Sequence, residues 1–250
     1  MTAPHAIVIF AVGLVAGTVN TIVGSGSLLT FPTLLGLGYA PVLANVSNTV
    51  GLISGAVSGA IGYRRELAGQ ARRILALVPV LVAGTILGAV LLLELPQSAF
   101  SDVVPVLILV AVVMVVAGPL IARRRRTGEP RLHPGPLLQT GTFLTSVYGG
   151  YFGAAQGVIL LGLFGITLDD DMQRLNAAKN VVAAMINAVG ALFFIARTTI
   201  AWDVVGLLFA GSAIGGQLGA VVGRRLSPTV LRVVIAVVGT GVAIKLFIDP

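Results

Sequence analysis

Apolar residues occur along this chain in long unbroken runs, and the runs are separated by short clusters of basic residues. A bilayer core about 30 Å thick is crossed by a helix of roughly 20 apolar residues. Eight runs reach that order of length: 6–37, 43–63, 74–94 and 99–121, then 137–168, 175–196, 204–223 and 230–248. The pattern predicts an all-α integral membrane protein. The first run of each set of four is too long for one straight crossing, because about 30 residues rising 1.5 Å each span roughly 45 Å. Each also carries a helix-breaking stretch, Gly24–Ser25–Gly26–Ser27 followed by Pro32 in the first, and Gly149 to Gly157 in the second. A glycine costs a helix interior about 1 kcal/mol relative to alanine, so both runs are expected to be broken or re-entrant. Backbone that leaves the helix at membrane depth is tolerated only against protein or a water-filled cavity. The two breaks are therefore where a site is expected.

Displacing the sequence by 131 positions lays the second set on the first without a gap. Gly26 falls on Gly157, Asn45 on Asn176, Val50 on Val181, Gly59–Ala60 on Gly190–Ala191, Gly84 on Gly215 and Gly88–Ala89–Val90 on Gly219–Ala220–Val221. Residues 1–122 make the first membrane repeat, 123–136 a basic linker and 137–250 the second repeat. The basic clusters are Arg64, Arg65, Arg72 and Arg73, then Arg123 to Arg126 with Arg131, then Arg224, Arg225 and Arg232. Cytoplasmic loops of membrane proteins carry such an excess. All three clusters can face the cytoplasm only if 137–168 enters the membrane and returns to its own side. Both termini, Glu94 and Asp102 then face outward. The inner loop at Arg64–Arg73 corresponds by the repeat to an outer loop at Arg197–Asp203, so the halves are expected to be inverted copies. Inverted repeats with broken helices are the recurring plan of secondary transporters.

Composition narrows the reading further. Of 250 residues, 56% are hydrophobic and 10% charged, against roughly a quarter charged in a soluble domain, and the mean hydropathy is +1.02. A water-soluble enzyme is excluded. The net charge of +7 would raise nucleic-acid binding in a soluble chain, but here the basic residues lie between apolar runs and act as an orientation signal, so no nucleic-acid partner is expected. Cysteine is absent, and His5 and His133 both lie outside the apolar runs, which leaves no donor set for a metal or other cofactor. The segment Met1 to His5 lacks the basic region of a signal peptide, so the first run is read as part of the mature chain. Small-residue faces at Gly51–Gly59 and Gly211–Gly219 fit close helix packing, within one chain or in a homo-oligomer.

Polar side chains within the runs are few and gather at the breaks, where burial in lipid is costly unless they serve packing or a ligand. Asn20, Gly24, Ser25, Gly26 and Ser27 flank the first break, and Asn45, Ser47, Asn48 and Thr49 begin the next run. Tyr148, Tyr151, Gln156 and Gly157 flank the second break, and Asn176, Lys179, Asn180 and Asn187 follow it. Spacings of four and seven put Asn176, Asn180 and Asn187 on one helical face. Interhelical hydrogen bonding, worth about 0.6 kcal/mol per bond, accounts for any single Asn as well as ligand contact does; the cluster as a set points to a site. Amides at a helix start carry partial positive charge, and glycine permits close approach. Amides following Gly26 and Gly157, with the side chains of Ser25, Ser27 and Gln156, are thus candidate ligands for a small anion held between two facing half-helices. Lys179 is either its charge partner or a lysine that snorkels or pairs with Asp169, Asp170 or Asp171. No carboxylate lies at the centre of a run, which removes a buried carboxylate proton relay. An inside-negative potential, worth about 2.3 kcal/mol per charge per 100 mV, favours outward movement of an anion.

The stretch Gly17 to Pro32, containing Gly24–Ser25–Gly26–Ser27, resembles the first-repeat signature of the TauE/SafE sulfite exporter family, as do Ala44–Asn45–Val46–Ser47–Asn48–Thr49–Val50 and Tyr63–Arg64–Arg65. The resemblance extends over essentially the whole chain. The second repeat departs from it, since Tyr148–Gly149–Gly150–Tyr151–Phe152–Gly153–Ala154–Ala155–Gln156–Gly157 carries no proline after the break. The resemblance implies a non-enzymatic, multi-pass transporter of a bacterial plasma membrane that exports sulfite or a small sulfonate. Three readings compete: a cation or neutral-solute carrier using Asn oxygens and unwound carbonyls, a structural membrane subunit without transport, and an intramembrane enzyme. The last lacks a nucleophile paired with a base inside the apolar runs.

Overall fold

The computed structural model describes residues 2–122 and 135–222, with five further helical positions between 233 and 244. The linker as far as residue 134, the cluster from Arg224 to Arg232 and most of the last apolar run lie outside the described residues. The described chain is helical without strands: α1 (Ala3–Ile22), α2 (Ser27–Gly36), α3 (Pro41–Gly51), α4 (Ile53–Gly62), α5 (Ala71–Leu75), α6 (Val78–Glu94), α7 (Gln97–Ala122), α8 (Pro136–Tyr151), α9 (Gln156–Thr167), α10 (Met172–Arg197) and α11 (Trp202–Val222). Among the described residues four stretches are long and apolar enough to cross a membrane, namely α1, α10, α11 and Gln97–Ala117 of α7. The chain is a multi-pass membrane protein.

The displacement of 131 carries α1 onto α8, α2 onto α9, α3 with α4 onto α10, and α5 with α6 onto α11. Two interruptions of the first half have no equivalent in the second. Leu52 separates α3 from α4, and the short α5 stops before α6, where Pro79 supplies no amide for the preceding turn. Proline also starts α1, α3 and α8 in the first helical positions, where its missing N–H leaves nothing unsatisfied. Asp171 caps α10 by accepting from the Gln173 amide.

Packing crosses between the halves. On α11, Gly211 and Gly215 lie against backbone of Phe10 and Leu14, and Gly219 against Thr18, so α1 and α11 run side by side in one direction. On α6, Gly84 meets Phe143 and Gly88 meets Val147 of α8, again in one direction. The glycines matched by the displacement are those that admit a neighbouring backbone at these two seams. Hydroxyls add to the first bundle: Ser54 and Ser58 donate to the Phe209 and Ala213 carbonyls of α11 at 2.6 and 2.7 Å. The α3–α4 pair runs opposite to α10, because Tyr63 shares a buried cluster with Ala177 whereas Gly190 lies over Thr49.

Each long first run is a helical hairpin. Gly26 packs on Ala16 and Asn20 of α1; Gly141 of α8 meets Leu163 of α9, and Gly149 meets Gln156. The turns differ in position from expectation. Gly149 and Gly150 lie inside α8, where they admit Gln156 and Thr85, and the second break runs only from Phe152 to Ala155. Gly24 takes φ +91° and donates to the Val19 carbonyl, which closes α1. Gly153 closes α8 in the same way with φ +75° and a bond to Tyr148. At the position equivalent to Gly24 the second half places Ala155, with φ +59°. The repeat thus preserves a left-handed residue even where the side chain disfavours it.

The return of the second hairpin is tied to the first half. Asp170 bonds Arg73 at 3.0 Å and Arg174 at 2.7 Å. Arg174 donates to the Ala68 carbonyl, Gln70 donates to the Glu66 and Arg174 carbonyls, and Arg73 also bonds Gln70. Loop 168–171 therefore lies at the end of the bundle that carries Arg64 to Arg73. Burial raises the Asp170 pKa, but hydrogen bonds from Arg73, Arg174 and the Asp171 amide outweigh it and hold the carboxyl below its ordinary value.

Two outcomes are expected in thermal unfolding of the detergent-solubilised protein. Ala155→Gly raises stability by about 1 kcal/mol through relief of the left-handed alanine, whereas Gly24→Ala lowers it, since its Cβ would stand 2.6 Å from Gly157 Cα. Asp170 has a depressed folded pKa, so its contribution is present above the unfolded carboxylate value of about 3.9 and is lost as pH falls through the folded value. Acidification should destabilise the native protein more steeply than Asp170→Asn.

Candidate functional site

The two breaks touch. The Gly157 amide donates to the Gly24 carbonyl at 3.1 Å, and each glycine lacks the Cβ that would hold the backbones apart. Hairpin turns from opposite halves thus share a backbone hydrogen bond, with Ser25, Gln156, Asn45, Asn48, Asn176 and Lys179 all buried around them.

The end of α1 is held by α10. Asn176 Nδ2 donates to the Thr21 carbonyl at 3.2 Å, Lys179 Nζ to the Asn20 and Thr21 carbonyls at 3.0 and 3.2 Å, and Asn180 Nδ2 to Thr21 at 3.4 Å. A helix C-terminus exposes carbonyls without partners and partial negative charge, and one ammonium with two amides answers both. Lys179 neither snorkels nor pairs with an aspartate: it is 1% exposed, and its bonds are to carbonyls. The end of α8 is held by the repeat-equivalent of Asn176, since Asn45 Nδ2 donates to the Tyr151 carbonyl at 3.0 Å. Asn48 stands where the second half has Lys179, and its side chain accepts from the Thr30 hydroxyl of α2. Thr49 turns its hydroxyl to the Asn45 carbonyl of its own helix. Around the second break, Tyr148 donates to the Ala154 carbonyl at 2.7 Å, and Phe152 packs edge-on to Phe31 and Phe100, with Tyr151 against Phe100.

The amides at the starts of α2 and α9 are not equivalent. Those of Ser25, Gly26 and Ser27 meet no acceptor among the described residues, whereas the amides of Gly157 and Val158 are taken by the Gly24 and Ala155 carbonyls. Uncommitted amides after both glycines are the expectation from sequence; after Gly157 the Ala155 carbonyl takes those of Val158 and Ile159, and after Gly26 the Leu28 and Leu29 amides turn to Ser25 and Gly26, which leaves that of Ser27. Gln156 Nε2 donates to Asn187 Oδ1 at 2.8 Å, which connects the second break to the middle of α10. Five buried polar atoms near the breaks have no partner among the described residues: Thr21 Oγ1, Ser25 Oγ, Asn45 Oδ1, Gln156 Oε1 and Asn176 Oδ1. Thr21 and Thr30 escaped sequence reasoning as contributors. Both sit in apolar stretches, and the carbonyl of Thr21 carries its role, which no side-chain pattern reveals. No cluster of metal-binding side chains occurs among the described residues.

The family model described as sulfite exporter TauE/SafE matches residues 9–246. The chain is 26% identical over 242 residues to a "Probable membrane transporter protein" of Haemophilus influenzae, covering 97% of this chain and 94% of the relative. It is 24% identical over 243 residues to "Probable membrane transporter protein YfcA" of Escherichia coli strain K12, covering 97% and 89%. "Probable membrane transporter protein ORF9" of a Sinorhizobium species is 24% identical over 249 residues, covering 97% and 92%. No solved structure matches. A touching pair of hairpin turns in a helical membrane bundle and a family match spanning nearly the whole length lead to one assignment: the chain belongs to the sulfite exporter TauE/SafE family of membrane transporters.

Proposed function

We propose that this protein is a secondary transporter that exports a small sulfur-containing anion, sulfite or a sulfonate, through the junction of two inverted repeats spanning 1–122 and 137–250. The observation that carries the reading is the start of α2. Among the described residues, three successive amides, of Ser25, Gly26 and Ser27, lack acceptors there, and the Ser25 hydroxyl is buried without a partner. Such a helix start offers converging donors and a positive dipole end to an oxyanion. Sulfite presents several acceptor oxygens and negative charge, and the Lys179 amine, held at the adjoining end of α1, adds a basic group to pair with it.

The inverted relation is supported by the opposite run of α3–α4 and its repeat-equivalent α10. In this reading the Arg64–Arg73 end, with loop 168–171, faces the cytoplasm, because loops rich in Lys and Arg are retained there. The contact of Gly24 with Gly157 acts as the seal between the two sides, and export requires the hairpins to part in turn. Transport draws on the membrane potential, which drives an anion outward by about 2.3 kcal/mol per 100 mV. Asn20, Asn48, Thr49, Tyr151, Gln156 and Asn180 shape the surrounding wall.

A second reading has its own support. The unpartnered atoms Asn45 Oδ1, Asn176 Oδ1 and Gln156 Oε1 are acceptors, and acceptors suit a neutral solute carrying donors. Purified protein in liposomes separates the two. Efflux of sulfite or a sulfonate, accelerated by an inside-negative potential, is the expected result. Efflux that ignores the potential and follows a proton gradient, or that occurs only for neutral solutes, overturns it. Ser25→Ala removes a hydroxyl that bonds no protein group, so expression and stability should hold while anion affinity falls about tenfold, the loss of one hydrogen bond to a charged group. The change in half-saturating concentration measures this.

A further inference from the structure

The Lys179 ammonium meets oxygens of the kind that hold a bound cation. They are the carbonyl oxygens of Asn20 and Thr21, at 3.0 and 3.2 Å, in the last turn of an interrupted helix. No carboxylate pairs with it among the described residues; Asp170, at the start of the same segment, bonds Arg73 and Arg174. Asn176 turns its amide nitrogen to the same Thr21 carbonyl and leaves Oδ1 buried and unpartnered. Carbonyls at the end of a half-helix, backed by side-chain oxygens, are what transporters with broken helices use to hold a sodium ion. The other half lacks the feature. Asn48 stands at the position of Lys179 and is directed to Thr30, and at the end of α8 the neutral amide of Asn45 donates to the Tyr151 carbonyl.

We propose that Lys179 is a tethered cation filling a monovalent-cation site at the Asn20 and Thr21 carbonyls, with Asn176 Oδ1, idle while the lysine is in place, free to complete the shell around an ion, so that the protein operates without a sodium co-ion. A flexible four-carbon stem delivering a compact charge suits this task. Covalent attachment makes occupancy independent of the ion concentration on either side of the membrane. The proposal is independent of which solute is moved, because the cation requirement is read on the unloaded protein.

Thermal unfolding of the full chain in detergent, in NaCl against choline chloride at equal ionic strength, tests it. The native protein should unfold at the same temperature in both salts. Lys179→Ala should be destabilised in choline chloride and regain roughly 5–10 °C at saturating Na⁺, as a ligand bound only by the folded state does. Lys179→Arg, which keeps a charge in place, should show no sodium response. A native protein stabilised by Na⁺ overturns the proposal, since the site would then be vacant. So does a Lys179→Ala protein indifferent to Li⁺, Na⁺ and K⁺. Should Lys179→Ala fail to fold in any salt, Lys179→Gln, whose amide supplies a donor without the charge, is measured instead, and its indifference to all three ions overturns the proposal equally.

Discussion

A helix that stops inside an apolar bundle leaves carbonyls at its end and amides at the next start, and water is not at hand to satisfy them. Two such stops occur here, and the molecule is organised around meeting their demands. The first is met by charge and amides from α10 on the Asn20 and Thr21 carbonyls; the second by Asn45 on Tyr151, by the Tyr148 hydroxyl and by edge-on aromatic rings. One amide–carbonyl bond, from Gly157 to Gly24, then joins the two turns. Any group larger than hydrogen on either glycine would force these backbones apart, so the close junction depends on two residues that contribute no side chain.

Positions matched by the displacement of 131 satisfy the same demand differently. A left-handed residue is required at one position of both turns, and glycine supplies it in the first half while alanine tolerates it in the second. Asn45 and Asn176 keep their role as donors to a helix end. Asn48 and Lys179 do not, and one cation on one side makes the junction electrostatically lopsided.

Much of this was legible in the sequence. Run lengths and the gap-free displacement located the hairpins and paired the halves, because hydrophobic length and glycine position answer directly to membrane thickness and to backbone contact. Gly84 and Gly88 with Gly215 and Gly219 were recognisable as matched residues, and the structure gives the reason: they admit α8 and α1. Other features were hidden. The second break begins after Gly149 and Gly150, since glycine serves close packing as readily as it serves a turn. The interruption at Leu52 follows from no breaker of its own. The commitments of Asn176 and Lys179 are to carbonyls, and every residue has one, so sequence identifies the donors without identifying whom they serve. The consumed amide of Gly157 required knowing that the turns meet.

The crossing of partners between halves has a consequence for biogenesis. α1 is packed along α11, and α6 along α8, so the longest seams join segments far apart in the chain. When α1 leaves the ribosome its glycine-lined partner has yet to be synthesised, and nearly two hundred residues must follow before α11 is complete. Non-local pairing of this kind delays assembly. The first helix made is among the last to be fully seated, and until then lipid, rather than protein, must cover the face that α11 will take.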